Sequence, residues 1–225
     1  MLFRRFPNRQ RVDQARLSLV LSAASGFSQT TLAALKSGAV TSVTSADLVF
    51  SGFSDISGIG DLNVNYADIY VVAVAGGIEF QSADWTLSGA DLGYDLSLQF
   101  NVSTIDGSLL SGVASSITGD NTTLDAHASM TEGVGVGTTL RVYINQAGTR
   151  LTQVNDSTTL SPVDTLTIDK DFSMTTGNND VEASMEVSHF DQTFTTVPVP
   201  EPSSVALVAS GLAGLGLIIR RRVVK

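Results

Sequence analysis

From Asp47 onward the chain alternates apolar and polar residues with a period of two. Asp61-Leu62-Asn63-Val64-Asn65-Tyr66 alternates and runs into Ile69-Tyr70-Val71-Val72-Ala73-Val74. The same rhythm runs from Tyr94 to Val102, from Leu140 to Ile144 and from Thr165 to Asp169. It returns from Val181 to Phe194, with a slip at Ser188-His189. Successive side chains of a strand point to opposite faces, so these segments predict half-buried strands with one wet face. Turn signals separate them at Ser57-Gly58, Gly76-Gly77, Asp106-Gly107, Gly119-Asp120-Asn121, Gly148 and Gly177-Asn178-Asn179-Asp180. No stretch of this region carries the pattern of a long amphipathic helix. Residues 47–196 are therefore expected to be all-β, an antiparallel β-sandwich or jelly roll.

The two ends break the pattern. Val197-Pro198-Val199-Pro200-Glu201-Pro202 is a proline-rich linker. Prolines at alternate positions cannot donate backbone hydrogen bonds and hold a chain extended, in the form that enters a protease cleft. The next 17 residues, Ser203 to Ile219, carry no charge. As a helix they would span about 25 Å, near the short limit for crossing a bilayer. Arg220-Arg221-Arg222 follows and opens the basic tail 220–225. Its charge should keep that tail cytoplasmic and place residues 1–202 outside. The competing reading is a buried C-terminal helix of a soluble fold.

Pro200, Glu201 and Pro202, followed by one transmembrane stretch and a basic terminus, resemble the PEP-CTERM sorting signal. The resemblance is confined to about the last 28 residues. It implies recognition by an exosortase, a membrane transpeptidase-like enzyme, in bacteria that make exopolysaccharide. It implies nothing about the fold or activity of residues 47–196.

The N-terminus carries a basic segment, Arg4 to Arg16. An apolar stretch, Leu17 to Phe27, follows but is broken by Ser18, Ser22 and Ser25. A second stretch, Leu32 to Val43, contains Lys36. Small residues suited to signal-peptidase cleavage occur at Thr44-Ser45-Ala46. Residues 1–46 are expected to be a long export signal, or else a disordered basic extension.

Charge sharpens the picture. The 225-residue chain has a net charge of −9, but residues 47–202 hold 21 acids against three bases, Arg141, Arg150 and Lys170, a net of −18. Such a surface repels nucleic acid and anionic lipid and suits solubility outside the cell. The absence of cysteine excludes disulfides, thiolate metal sites and Cys nucleophiles.

Candidate chemistry is sparse. The two histidines, His127 and His189, lack metal spacing, and no Gly-x-Ser-x-Gly elbow accompanies them. A cleft bringing either one to a Ser and an Asp would restore a hydrolase reading. Gly133-Val134-Gly135-Val136-Gly137 lacks the lysine of a phosphate loop and reads as the approach to a hairpin. Asp61-x-Asn63-x-Asn65 has the opening oxygen spacing of a calcium loop, but Tyr66 and Val72 stand where Gly and Glu are needed. Gly177 to Asp180 with Glu182 is another oxygen-rich turn. No cofactor is expected, and calcium at such a loop competes with a plain solvated acidic surface. Glu182 and Glu186 would share one strand face, which is not the arrangement expected of a glycosidase pair.

The expectation is an exported, non-enzymatic cell-surface or matrix protein whose acidic face could bridge cations to exopolysaccharide. The alternative is a carbohydrate-binding module that uses Trp85, Tyr66 or Tyr70 as a stacking platform. A buried Trp85 would count against it.

Overall fold

The computed structural model describes residues 28–123, 126–135, 137–145, 152–177, 183–199 and 210. Among them the elements run β1 (Gln29–Thr31), α1 (Leu32–Lys36), β2 (Ser42–Ser45), β3 (Leu48–Gly60), β4 (Tyr70–Val74), β5 (Gly77–Gln81) and β6 (Thr86–Ser88). They continue with β7 (Gly93–Thr104), β8 (Leu109–Asn121), β9 (His127–Val134), β10 (Thr138–Ile144), β11 (Asn155–Val163), β12 (Thr165–Thr175) and β13 (Ser184–Val197).

The strands form two antiparallel sheets packed as a sandwich. One runs β1-β4-β5-β13-β8-β11, with β6 also on β13. The other runs β10-β9-β12-β7-β3-β2. The expected all-β sandwich is what forms. The period of two becomes the core directly. Leu96, Leu98, Phe100 and Val102 of β7 face Val113 and Ile117 of β8 and Phe190 and Phe194 of β13 across the interior, and all are buried. At its centre Phe190 lies 4.9 Å from Phe80, 5.2 Å from Trp85 and 5.2 Å from Phe172, ring to ring. Such aromatic clusters add specific pair attraction to a large buried area.

The slip at Ser188-His189 is a bulge, where the β13–β8 register shifts between Val187 and His189. The glycine run after β9 is the β9–β10 hairpin, with Gly135 and Gly137 at positive φ.

Three expectations are corrected. Asp61 to Tyr66 is not a strand but the connection between β3 and β4; Leu62, Val64 and Tyr66 lean on the core. Ser57-Gly58 and Gly119-Asp120-Asn121 are not turns, since they lie inside β3 and β8. A Cβ on Gly119 would sit 2.2 Å from the Glu186 backbone oxygen, so this glycine serves close strand approach. The third correction concerns the boundary at residues 46 and 47, which falls in the turn of the β2–β3 hairpin, where Ser45 pairs with Leu48. Leu32, Leu35 and Val43 are core residues, and Lys36 donates to Ile56 O at 2.8 Å while lying 4.1 Å over the Tyr66 ring. The folded unit thus includes residues 28–46. The export-signal expectation is left with residues 1–27, outside the described residues.

Candidate functional site

The pairing of β13 with β5 on one side and β8 on the other lines up a cross-strand row on the outer face of the first sheet. Glu79 stands opposite Asp191, Asp191 opposite Ser116, and Ser116 opposite Asn155. His189 lies two residues before Asp191 and shares its face. Around this row is an open groove of about 650 Å³, lined in part by Glu79, Ser116, Asn155, Asp156 and Asp191.

The row is electrostatically loaded. Two acids directly opposite on neighbouring strands repel. Burial pushes the Glu79 carboxyl above its ordinary 4.5; His189 opposes the rise, and Asp191 adds to it by charge and by hydrogen bonding. The Ser116 hydroxyl donates to Asp191 Oδ2 at 2.8 Å. The Ser188 hydroxyl donates to Thr118 O at 3.2 Å and also lies 3.0 Å from His189 Nδ1. His189 Nε2 lies 3.9 Å from Asp191 Oδ2. Ligand atoms of Glu79, His189 and Asp191 lie within 4.8 Å of one another and could together hold one divalent cation or share a proton.

His189 thus meets a Ser and an Asp, but not as a nucleophile and its base. The ring nitrogen that faces the acid is 3.9 Å from it, beyond hydrogen-bond reach, so the three groups do not form a relay. His127 opens β9 on the other sheet.

The remaining expected sites are dispersed. Asp61 Oδ2 accepts from Gly93 N at 2.8 Å and Asn65 Oδ1 from Ala67 N at 3.1 Å, so two oxygens of the calcium-like spacing already serve the backbone. Asn178, Asn179, Asp180 and Glu182 lie outside the described residues. Trp85 is fully buried at 0% exposure and cannot be a stacking platform. Tyr66 is half-buried beneath Lys36, and Tyr70 is exposed on β4. Among the described residues no aromatic side chain lines the groove.

Sequence reading missed the polar centre of the core. Glu132, Lys170 and Gln192 are 0%, 2% and 0% exposed. Their signal is plain in the alternation: Met130-x-Glu132-x-Val134, Ile168-x-Lys170-x-Phe172 and Phe190-x-Gln192-x-Phe194 each set a polar residue on the inward face.

β13, paired on both sides in the first sheet, ends at Val197, and the proline-rich tail begins with the next residue. The described residues are therefore a sandwich domain that the proline-rich C-terminal segment follows directly in sequence. Residues 198–222 match the PEP-CTERM protein-sorting motif. The chain carries this motif, which implies processing by an exosortase, and proteins with it are exported and cell-surface associated. Pro200, Glu201, Pro202 and Arg220, Arg221, Arg222 fall within the match but outside the described residues. So does the Ser203–Ile219 run apart from Ser210. No helix among the described residues is long and apolar enough to cross a membrane.

A search of curated proteins found no match. Among solved structures, TmCBM61 in complex with β-1,4-galactotriose aligns at 12% identity over 63% of this chain and 90% of its own, with a TM-score of 0.25. The exo-β-1,3-galactanase Pc1,3Gal43A of Phanerochaete chrysosporium, solved with galactose, aligns at 14% identity over 64% of this chain and 32% of its own, with a TM-score of 0.21. The galactose ligands belong to those proteins, and overlaps this weak transfer no binding site.

Proposed function

We propose that this chain is an exported, non-enzymatic surface or extracellular-matrix protein. A C-terminal helix holds it at the outer face of the inner membrane until an exosortase processes it near Pro200-Glu201-Pro202. The observation that carries the reading is the sorting motif, which starts at the residue after the last strand of a folded domain. The physical chemistry of the domain supports it. The wet face of the second sheet presents Asp95, Asp169 and Asp171 beside Ser97 and Gln99; Gln99 Nε2 donates to Asp169 Oδ1 at 2.5 Å and the Ser97 hydroxyl to Asp171 Oδ1 at 3.4 Å. Carboxylates among hydroxyls and amides keep a domain soluble and bridge through divalent cations to acidic or hydroxyl-rich polymers. Exopolysaccharide is the partner this surface suits; nucleic acid is not.

The test is the intact mass of the native protein from membrane, envelope and medium fractions of its host. A species ending near Pro200 to Pro202, with any added group, is the expected result. A full-length C-terminus confined to membranes would make the helix a permanent anchor and end the exosortase reading.

A further inference from the structure

Three polar side chains meet in the middle of an otherwise apolar sandwich. Glu132 of β9 and Lys170 of β12 are direct cross-strand partners. Gln192 reaches them from β13 in the opposite sheet. Lys170 Nζ is 2.6 Å from Glu132 Oε2 and 2.6 Å from Gln192 Oε1, with Met130 Sδ at 3.6 Å and the Phe190 ring centre at 5.6 Å. Gln192 Nε2 donates to Ala114 O at 3.0 Å, while Glu132 Oε1 has no hydrogen-bond partner among the described residues.

A buried ion pair is a poor device for stability alone, because desolvation cancels most of the attraction and apolar side chains of equal volume do as well. The arrangement has a different competence. It brings an amine, a carboxamide and a carboxyl group into contact where water is excluded. The amide carbon of Gln192 lies one C=O bond beyond Oε1, so it is at most about 3.8 Å from Nζ, close to attack distance. Burial drives the Lys170 ammonium toward its neutral, nucleophilic form, with Glu132 opposing the shift and standing ready to take the proton.

We propose that Lys170 and Gln192 become joined by an amide bond across the core, formed by the folded chain itself with Glu132 as the proton carrier. Glu132 accepts a proton from Nζ, and the Nζ lone pair attacks the Gln192 carbonyl carbon. Glu132 passes that proton to Nε2, the C–N bond of the carboxamide breaks and ammonia leaves; Glu132 then takes the second Nζ proton, so that the new amide nitrogen keeps one hydrogen and Glu132 ends protonated. One amide is exchanged for another, with no change of oxidation state and no co-reactant. The product ties β12 of one sheet to β13 of the other in a chain without cysteine. It constrains the unfolded chain as a disulfide would.

The experiment is intact-mass and peptide mass analysis of the purified full-length chain after folding. The expected result is a mass lower by one ammonia. It is accompanied by a branched peptide containing Lys170 and Gln192, in which trypsin no longer cuts after Lys170. Glu132→Gln and Lys170→Arg chains should keep the full mass. Full mass in the folded wild-type protein, with Lys170 and Gln192 in separate linear peptides, overturns the proposal whatever the variants do. Loss of one water with Lys170 joined to Glu132 overturns it as well, because the carboxamide would not be the acyl donor. Neither outcome bears on the sorting motif.

Discussion

Replacing Glu79 by glutamine should make the domain more stable at neutral pH, although it removes a charged side chain from a partly buried row. Glu79 stands opposite Asp191, and its carboxyl titrates above 4.5 because burial and Asp191 both disfavour its ionised form. A raised native-state pKa means that the folded chain holds the proton more tightly than the unfolded one. Stability then falls as pH rises from 4.5 through the native value and stays lowered above it. Directly opposed like charges cost roughly 0.2–1 kcal/mol. The site is open to solvent on its groove side, and screening places Glu79→Gln at about 0.5 kcal/mol of gain. For a domain of this size that is a rise in Tm of about 1–2 °C. Thermal unfolding of both chains should be followed in the presence of a chelator, so that no cation neutralises the pair, across a pH series. The gap should be open at neutral pH and closed well below 4.5, where both chains carry an uncharged side chain at this position. A variant no more stable than wild type at neutral pH, or a gap that persists unchanged in acid, would refute the reasoning.

Phe190→Ala removes the ring shared by Phe80, Trp85 and Phe172 and should cost about 3–5 kcal/mol, read by denaturant unfolding with Trp85 fluorescence as the probe. Wild-type Trp85 emission should be blue-shifted and unmoved by added polysaccharide, because its ring is buried. A chain starting at Asp47 should fail to give a cooperative transition where one starting at Ser28 succeeds, since it lacks the buried Leu32, Leu35 and Val43, each worth about 1.5–3 kcal/mol. N-terminal sequencing of the exported protein should accordingly place the first residue at or before Ser28.

The long strands that alternate cleanly were legible because each has one wet face. β7, β10, β12 and β13 fall where Tyr94, Leu140, Thr165 and the 181–194 pattern place them. The failures have physical causes. Glycine is a turn signal in sequence, but Gly58 and Gly119 sit in strands, and at Gly119 the Glu186 backbone comes too close for a side chain. Asp61 to Tyr66 alternates because it lies extended along the core, although it joins no ladder. The segment from Ser28 to Ala46 resembles an export signal in composition, and only its pairing with β4 and β3 makes it part of the domain. The groove row is a matter of register: nothing local to Glu79 announces that Asp191, far along the chain, will stand opposite it. The core trio was within reach of pattern reading, as three charged or amide residues on faces that should be apolar.

A domain held by its tail feels drag, and the path of that force is set by where the tail attaches. Here it enters through β13, which is hydrogen-bonded to β8 along one side and to β5 and β6 along the other. A pull along this strand loads its flanking bonds in shear, many at once. Attachment to an edge strand would let them peel away one after another. With the tail anchored as proposed, the sandwich is wired to resist tension that arrives through it.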